Sequence, residues 1–266
     1  MKAILGSLLP LLVSFLIPLQ GLATAKPRVA GNDSTQPPGQ FDTYILAMSY
    51  QNDFCLTQPS SASCKPGEMD GMTLHGLWPD RNTDYKNTYQ FCGYSESWVN
   101  KQKWCSAAID VKSQMQPGEL DSLGQIMPGV ETCLYNHEWY AHGTCSGLNV
   151  ADYFQDATVL ATRFHNLPQI QALIRSSAGQ TLEKAQIIAA LTADLGSQAE
   201  ASFVVMCRNV GGKSYFSQIN VGLDRQKLME FPAAESFAPI KPYPDKNGAP
   251  EPDQGTCPDA GILISL

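Results

Sequence analysis

Three of the four histidines in this chain fall in two short segments, and imidazole is the side chain best suited to acid–base chemistry near neutral pH. His75 lies in the first segment, residues 73–80, whereas His137 and His142 lie in the second, residues 137–145. A single histidine is more often structural than catalytic. Three histidines grouped with a carboxylate and several aromatic residues predict one catalytic site.

The spacing of the second segment argues against a zinc site of the HExxH type. His137 and His142 are five residues apart, and five helical steps of about 100° leave the two rings roughly 140° apart. Glu138 and His142 are four residues apart and share a helical face, so the carboxylate is expected beside the His142 imidazole. No metal or other cofactor is therefore predicted.

No protein nucleophile accompanies these histidines. Cys145 is one of eight cysteines, and in an oxidising compartment a disulfide is the preferred interpretation. Neither a Gly-x-Ser-x-Gly elbow nor a phosphate-binding loop is present in the sequence. Two imidazoles suffice for the cleavage of RNA, because the 2′-hydroxyl of RNA itself attacks the phosphorus. One imidazole removes the proton of that hydroxyl, and the other protonates the leaving 5′-oxygen. The residues favour a ribonuclease that forms a 2′,3′-cyclic phosphate and leaves DNA intact.

Two motifs in this sequence resemble the signature segments of the ribonuclease T2 family. HGLWP begins at His75, and HEWYAHGTC at residues 137–145 is similar to the family pattern HEW-x-x-HG-x-C. The resemblance extends in coarse form from about Phe41 to the C-terminus and is nearest in character to bacterial periplasmic members. It implies a broad-specificity endoribonuclease with RNA as its substrate.

The resemblance also assigns roles to individual residues. It implies that His75 is the general acid and His142 the general base, although which of the two is the acid is left open. His137 and Glu138 then contact the phosphate and stabilise the transition state.

A base-binding site is implied at Trp78, Asp80 and Tyr85. Physically, Trp78 and Tyr85 can stack on any base, so little base preference is expected. Core packing is the alternative interpretation for these side chains.

One position departs from the family pattern. Family members carry a lysine before the second catalytic histidine, whereas this chain has Ala141. On a helix, position 141 lies one turn from His137, so its side chain is expected to point toward the phosphate. A cation is therefore missing unless Arg81 or Lys86 supplies one.

The N-terminus is typical of an exported protein. Lys2 precedes a mostly apolar run that ends in Ala-Thr-Ala at residues 23–25, which predicts a signal peptide over residues 1–25. The alternative, a membrane anchor, fits less well because two prolines interrupt the run. The expected location is the periplasm or the medium, with no membrane association after cleavage.

The eight cysteines predict four disulfides, for which the sequence alone allows roughly a hundred pairings. The family resemblance implies three of them and leaves the fourth by elimination: Cys55–Cys64, Cys92–Cys145, Cys207–Cys257 and, last, Cys105–Cys133.

The formal net charge of −7 excludes tight nucleic-acid binding through a broadly basic surface. Removal of residues 1–25, which contain one lysine and no acidic residue, lowers the charge to −8 (17 basic minus 25 acidic residues). A nuclease that must release its product needs only local cations, so this charge is compatible with a ribonuclease. Separately, the protein is expected to be a monomer.

Apolar periodicity predicts the elements that must position the site. Helices are expected over 133–143, 151–166, 168–177 and 182–195, the last with Thr181 as N-cap, and His165 on the second helix is interpreted as structural. Strands are expected over 43–50, 72–78 (ended by Pro79), 202–208, 214–223 and 262–266.

These elements predict a single α+β domain over residues 41–266, with helices packed on a mainly antiparallel, disulfide-stapled sheet. Residues 26–40 are expected to form a loose terminus.

Two other functions are consistent with parts of the sequence. Ala141 is compatible with a catalytically weakened family member that binds RNA or acts in signalling. A secreted zinc protease is disfavoured by the histidine spacing.

Overall fold

The computed structural model describes residues 36–64, 71–81, 89–240 and 256–266. The predicted signal peptide, Tyr85, Lys86 and most of the proline-rich stretch before Cys257 lie outside these residues. Among the helices of the described ranges, none combines the length and apolar character required to cross a membrane.

The described residues form one six-stranded sheet. Its strands are β1 (Thr43–Tyr50), β2 (Met72–Asp80), β3 (Thr181–Leu182), β4 (Phe203–Val210), β5 (Lys213–Asp224) and β6 (Ile262–Leu263). The order is β2-β1-β5-β6-β3, and β4 also pairs with β5. Only the β5–β6 pairing is parallel among these strands, which confirms the predicted α+β domain with a mainly antiparallel sheet.

Eight helices accompany this sheet in the described residues. They are α1 (Gln51–Thr57), α2 (Glu96–Lys101), α3 (Glu119–Gly124), α4 (Leu134–Glu138), α5 (Thr144–Ser146), α6 (Val150–His165), α7 (Pro168–Ser176) and α8 (Lys184–Leu195). A π-helical turn, Trp139–Gly143, joins α4 to α5. The prediction of one regular helix over 133–143 is therefore wrong in its second half.

β1 has the predicted bounds, and it pairs on one side with β2 and on the other with β5. β2 continues through Pro79 to Asp80, so the expected end at Pro79 is wrong. Proline is tolerated here because β2 is an edge strand, whose outer side needs no ladder hydrogen bond from the backbone.

The start of α8 also differs from the prediction. Thr181 lies in β3, and Glu183 is the N-cap, with a reciprocal capping box formed with Gln186. At α6 the cap is Asn149, whose side chain accepts a hydrogen bond from the Asp152 backbone N–H.

The core lies between the sheet and α6, α7 and α8. Tyr153 of α6 is fully buried, and its hydroxyl donates to the Leu77 carbonyl in β2 at 2.8 Å. His165 lies with Nδ1 3.0 Å from the Met72 carbonyl oxygen, a contact that fits the structural role expected of it. Helix α6 is thereby fixed to the strand that carries His75.

The β4–β5 hairpin turns at the predicted glycines. Gly211 and Gly212 both have positive φ, 59° and 78°, as a two-residue turn of the favoured hand requires. The last strand, β6, is shorter than the 262–266 expected.

Residues 36–40 have partners in the fold, unlike the loose segment predicted for them. Gly39 N–H donates to the Cys145 carbonyl at 2.8 Å, and the Tyr89 hydroxyl hydrogen-bonds the Pro37 carbonyl. The folded part therefore begins before Phe41.

Candidate active site

A β-bulge in β2 places His75. Ala47 of β1 pairs with Gly76, and Met48 pairs with Leu74, so His75 is the extra residue between them. Such bulges redirect a side chain out of the regular alternation. The His75 side chain is 36% exposed, which leaves it accessible to a substrate.

Side chains from β1 and β5 fix the orientation of the His75 ring. Nδ1 of His75 lies 2.9 Å from Oε1 of Gln218. Gln218 donates through Nε2 to Asn220 at 2.7 Å, and its Oε1 also accepts from the Ser49 hydroxyl at 3.0 Å. An amide oxygen can only accept, so Nδ1 of His75 is the donor in this contact, and Nε2 is left to face the site.

Sequence reasoning missed Gln218 and Asn220. Their only signal is two polar side chains that alternate with the buried Ile219 and Val221 and so lie on the opposite face of β5. Their proximity to His75 depends on the β1–β5 pairing, which local sequence does not determine.

The π-helical turn brings the second and third histidines together. Its wider i→i+5 turn replaces the α-helical geometry between His137 and His142. The ring centroids lie 6.4 Å apart, with the rings nearly perpendicular. The predicted separation of 140° around a regular helix is therefore wrong, although the described residues contain no cluster of three or more His, Cys, Asp or Glu suited to a metal ion.

Trp78 links both catalytic segments. Its indole stacks on His142 (centroids 5.0 Å apart, interplanar angle 25°) and meets His75 edge-on at 5.2 Å. Its Nε1–H donates to Oε2 of Glu138 at 2.9 Å. Trp78 thus holds three of the predicted site residues in a fixed relation.

The Glu138 carboxylate lies beside His75 and not beside His142 as expected. Its Oε1 is 3.6 Å from Nε2 of His75. The irregular turn after Glu138 breaks the i,i+4 relation on which the expectation rested. Gly76 makes this approach possible, because a Cβ at that position would collide with Oε2 of Glu138 and Nε1 of Trp78.

Burial shifts the protonation of the inner groups. Glu138 is 1% exposed, and burial raises its pKa to about 7, against the opposing effects of His75 and of the Trp78 hydrogen bond. Burial lowers the pKa of His142 well below its usual 6.5, and charge on His137 and His75 lowers it further. Burial and then His75 likewise lower the pKa of His137. His142 is therefore a neutral base at mildly acidic pH.

The remaining predicted base-site residues differ in position. Asp80, at the end of β2, is buried, and its backbone carbonyl accepts from the Asp42 N–H and the Thr43 hydroxyl, both at 3.3 Å. Tyr85 lies outside the described residues.

A disulfide and two hydrogen bonds join the segment after β2 to the end of the π-helical turn. Cys92 is bonded to Cys145, and its N–H donates to Sγ of Cys145 at 3.2 Å. Phe91 N–H donates to the Ala141 carbonyl at 2.8 Å. The other disulfides are Cys55–Cys64, Cys105–Cys133 and Cys207–Cys257, so all four pairs are those inferred above.

Ala141 does not occupy the open position expected of it. It is 1% exposed, so a lysine there would begin from a buried position. Arg81 is engaged elsewhere: its Nε donates to the Gln40 carbonyl at 2.6 Å and its guanidinium lies over the Tyr89 ring at 4.2 Å. Arg81 lies six positions beyond His75, about 20 Å along an extended chain, so Arg81 does not replace the missing cation. Lys86 lies outside the described residues.

Trp104 is a second residue that sequence reasoning missed. Its ring stacks on His137 with centroids 4.9 Å apart and an interplanar angle of 27°. No motif surrounds Trp104, and it lies more than thirty positions from His137, so the sequence offers no signal for the contact.

Comparison with known proteins gives a consistent result. Residues 41–232 match the family model of the Ribonuclease T2 family. The chain is 24% identical over 234 residues to Ribonuclease I of Escherichia coli, covering 79% of this chain and 85% of that protein. It is 28% identical over 198 residues to Ribonuclease DdI of Dictyostelium discoideum, covering 70% and 81%.

Solved structures show the same fold. Ribonuclease MC1 from bitter gourd seeds superposes with a TM-score of 0.56 at 20% identity, covering 84% of this chain and 100% of that chain. The SF11-RNase of Nicotiana alata gives a TM-score of 0.56 at 19% identity, covering 85% and 100%.

Proposed function

We propose that this chain cleaves RNA by two-histidine acid–base catalysis. The proposal starts from its place in the ribonuclease T2 family, since the chain is an endoribonuclease of that type. The observation that carries this proposal is the contact of both His75 and His142 with the Trp78 ring, at centroid distances of 5.2 Å and 5.0 Å. Two imidazoles so arranged can act on one phosphodiester.

In this mechanism His142 removes the proton of the 2′-hydroxyl. Its lowered pKa keeps the ring neutral at mildly acidic pH, as a general base must be. Nδ1 of His142 is buried, so Nε2 is the nitrogen that faces the substrate. The 2′-oxygen then attacks phosphorus and forms the 2′,3′-cyclic phosphate.

His75 donates a proton from Nε2 to the leaving 5′-oxygen. The Glu138 carboxyl group lies 3.6 Å from that nitrogen, and the Gln218 amide oxygen accepts from Nδ1, so the ring is held with Nε2 toward the site. Stabilisation of the charged phosphorane is assigned to His137 and Glu138. The reaction thus obtains its nucleophile from RNA and its acid and base from the protein, without a metal or cofactor.

Specificity follows from the same chemistry. DNA lacks the attacking hydroxyl and is not cleaved. Trp78 and Tyr85 are proposed to stack on the base, with Asp80 at the end of β2 as part of the same base site. Because an aromatic ring can stack on any base, this contact supports broad base specificity. Structures of relatives contain bound nucleotides, RNase NT with 5′-AMP and an RNase MC1 mutant with 5′-UMP, which supports a nucleotide-binding role for this cleft.

The location proposed for the protein is the periplasm or the medium. Four disulfides and the apolar N-terminal segment support export. A monomer is proposed, as expected from the sequence.

Incubation of the purified protein with RNA, single-stranded DNA and casein, each with and without EDTA, tests the proposal. We expect RNA alone to be degraded, equally with EDTA, to fragments that end first in 2′,3′-cyclic phosphate. DNA hydrolysis at a comparable rate, or RNA cleavage abolished by EDTA, would contradict the mechanism. RNA binding without cleavage would identify a catalytically weakened member.

A further inference from the structure

The short loop between α2 and the disulfide at Cys105 carries an exposed aromatic side chain beside the proposed site. Trp104 is 38% exposed, an unusual state for a residue that could bury a large apolar area. One face of its ring stacks on the His137 imidazole. The ring is therefore held against the site without being buried in the core.

This loop is anchored to the helix that carries His137. Cys105 is bonded to Cys133, the residue immediately before α4. Nδ2 of Asn136 donates to the Trp104 carbonyl at 2.7 Å, and Oδ1 of Asn136 accepts from the Val111 N–H at 3.0 Å. Asn136 is completely buried, so the Trp104 backbone is fixed by the residue next to His137. A rigid aromatic surface loses little conformational entropy when a ligand stacks on it.

Positive charge accompanies the ring in an otherwise acidic protein. Lys101, the last residue of α2, and Lys103, next to Trp104, are both exposed, and the ion pairs found among the described residues include neither. The chain as a whole carries a net charge of −7. A polyanion bound by such a protein needs local cations, and a lysine next to an aromatic ring suits a phosphate beside a stacked base.

We propose that Trp104 stacks on the base of a nucleotide next to the reacting one, and that Lys103 contacts that nucleotide's phosphate. The inference rests on the proposed ribonuclease function and adds to it a specific contact for single-stranded RNA longer than one nucleotide. Trp104 and Lys103 contribute to binding of the RNA chain, whereas the base of the reacting nucleotide belongs to the Trp78 side of the site.

Steady-state kinetics on two substrates test this proposal. One is an oligoribonucleotide of about six residues, and the other is a uridine 3′-aryl phosphate, which has no second base. We expect Trp104→Ala to raise KM for the oligonucleotide about 5- to 100-fold, the range that loss of one base stack produces. Cleavage of the aryl ester reports the contact of Trp104 with His137 alone, so its loss in kcat/KM should be smaller than the loss for the oligonucleotide by about fivefold or more. Trp104→Phe, which keeps an aromatic ring, should restore most of the oligonucleotide affinity.

Lys103→Ala should raise KM for the oligonucleotide and reduce the slope of log KM against log salt by about 0.7, as expected for one phosphate contact to a single strand. Its matched control is Lys213→Ala, at the β4–β5 hairpin, which should change neither value. Equal losses of kcat on both substrates in Trp104→Ala, with a shifted pH profile, would show that Trp104 only holds His137 and would overturn the proposal. Unchanged kinetics on both substrates would overturn it as well.

Binding of a non-cleavable 2′-O-methyl oligonucleotide separates this proposal from the proposed catalysis. Weaker binding by Trp104→Ala than by the wild-type protein, measured by fluorescence anisotropy, would support the Trp104 contact even if neither substrate were cleaved. Equal binding would refute the contact while leaving the catalytic proposal unaffected.

Discussion

The buried carboxylate of Glu138 makes the stability of this protein depend on pH, and Glu138→Gln should remove that dependence. Glu138 is 1% exposed, and its pKa is raised from 4.5 to about 7, chiefly by burial. Glutamine cannot titrate, yet its side-chain oxygen can still accept the Trp78 Nε1–H. The substitution therefore removes a charge and keeps the main hydrogen bond.

The sign follows from proton linkage. Because the pKa is raised in the folded state, the folded protein retains a proton that the unfolded chain releases between pH 4.5 and about 7. The resulting stabilisation is complete below pH 4.5 and is lost as the pH rises through about 7. A difference of about 2.5 pKa units corresponds to about 3 kcal/mol.

Urea unfolding followed by tryptophan fluorescence at about pH 4.5, 6 and 8 measures this effect. We expect the unfolding free energy of Glu138→Gln, relative to wild type, to increase by about 3 kcal/mol from the lowest pH to the highest, equivalent to roughly 6–12 °C in Tm. His142 has the opposite sign, since its lowered pKa destabilises the fold as the pH falls below 6.5. Both proteins contain His142, so its contribution largely cancels in the difference.

Glu200→Gln, which changes an exposed carboxylate, is the matched control and should give a difference that does not vary with pH. A Glu138→Gln difference that is constant within about 1 kcal/mol across the same range would refute the argument that burial controls this carboxylate. Activity should decrease in parallel by about ten- to a hundredfold, the effect of one charge-assisted hydrogen bond.

Three further predictions concern the site. His75→Ala and His142→Ala should each reduce kcat by about 10²- to 10⁴-fold, whereas His165→Ala should retain wild-type kcat. Because the pKa of His142 is lowered, the acid limb of the kcat/KM profile should lie below pH 6.5. An acid limb above that value would contradict the assignment of His142 as base. Replacing both cysteines of Cys92–Cys145 by alanine should lower the unfolding free energy by about 4 kcal/mol, against about 2.5 kcal/mol for Cys55–Cys64. The difference is expected because the sequence separations are 53 and 9. Equal losses in calorimetry would show that loop length does not govern the effect. Gly76→Ala should displace the Glu138 carboxylate, which should lower the unfolding free energy by about 1–3 kcal/mol and remove most of kcat. An active, equally stable variant would show that the collision is relieved without cost.

Local sequence determined the regular elements of this fold well. The alternation in β1, the apolar spacing of α6 and the glycines of the β4–β5 turn each express a periodicity or a backbone requirement within a few residues. The end of β2 was missed because Pro79 is permitted at an edge strand, and edge position is a property of the whole sheet.

The candidate site was predicted in its residues but not in its geometry. The identities of His75, His137, Glu138 and His142 were evident from two motifs, whereas the contact between Glu138 and His75 depends on a π-helical turn that helical periodicity cannot express. The contact of Gln218 with His75 depends on strand pairing across more than a hundred residues.

The bulge at His75 and the π-helical turn that contains His142 share a property: each places one residue more in its segment than a regular strand or α-helix would hold. The His75 and His142 rings are consequently aligned by local chain length as well as by side-chain identity. Deleting one residue between His137 and His142 would restore α-helical periodicity and turn the His142 ring by about 100°, away from Trp78. Deleting one residue of the bulge would return His75 to the strict alternation of β2. If the proposed mechanism holds, a single-codon deletion in either segment abolishes catalysis while all the proposed catalytic residues remain. A comparison that counts only those residues would then misjudge the resulting protein as active.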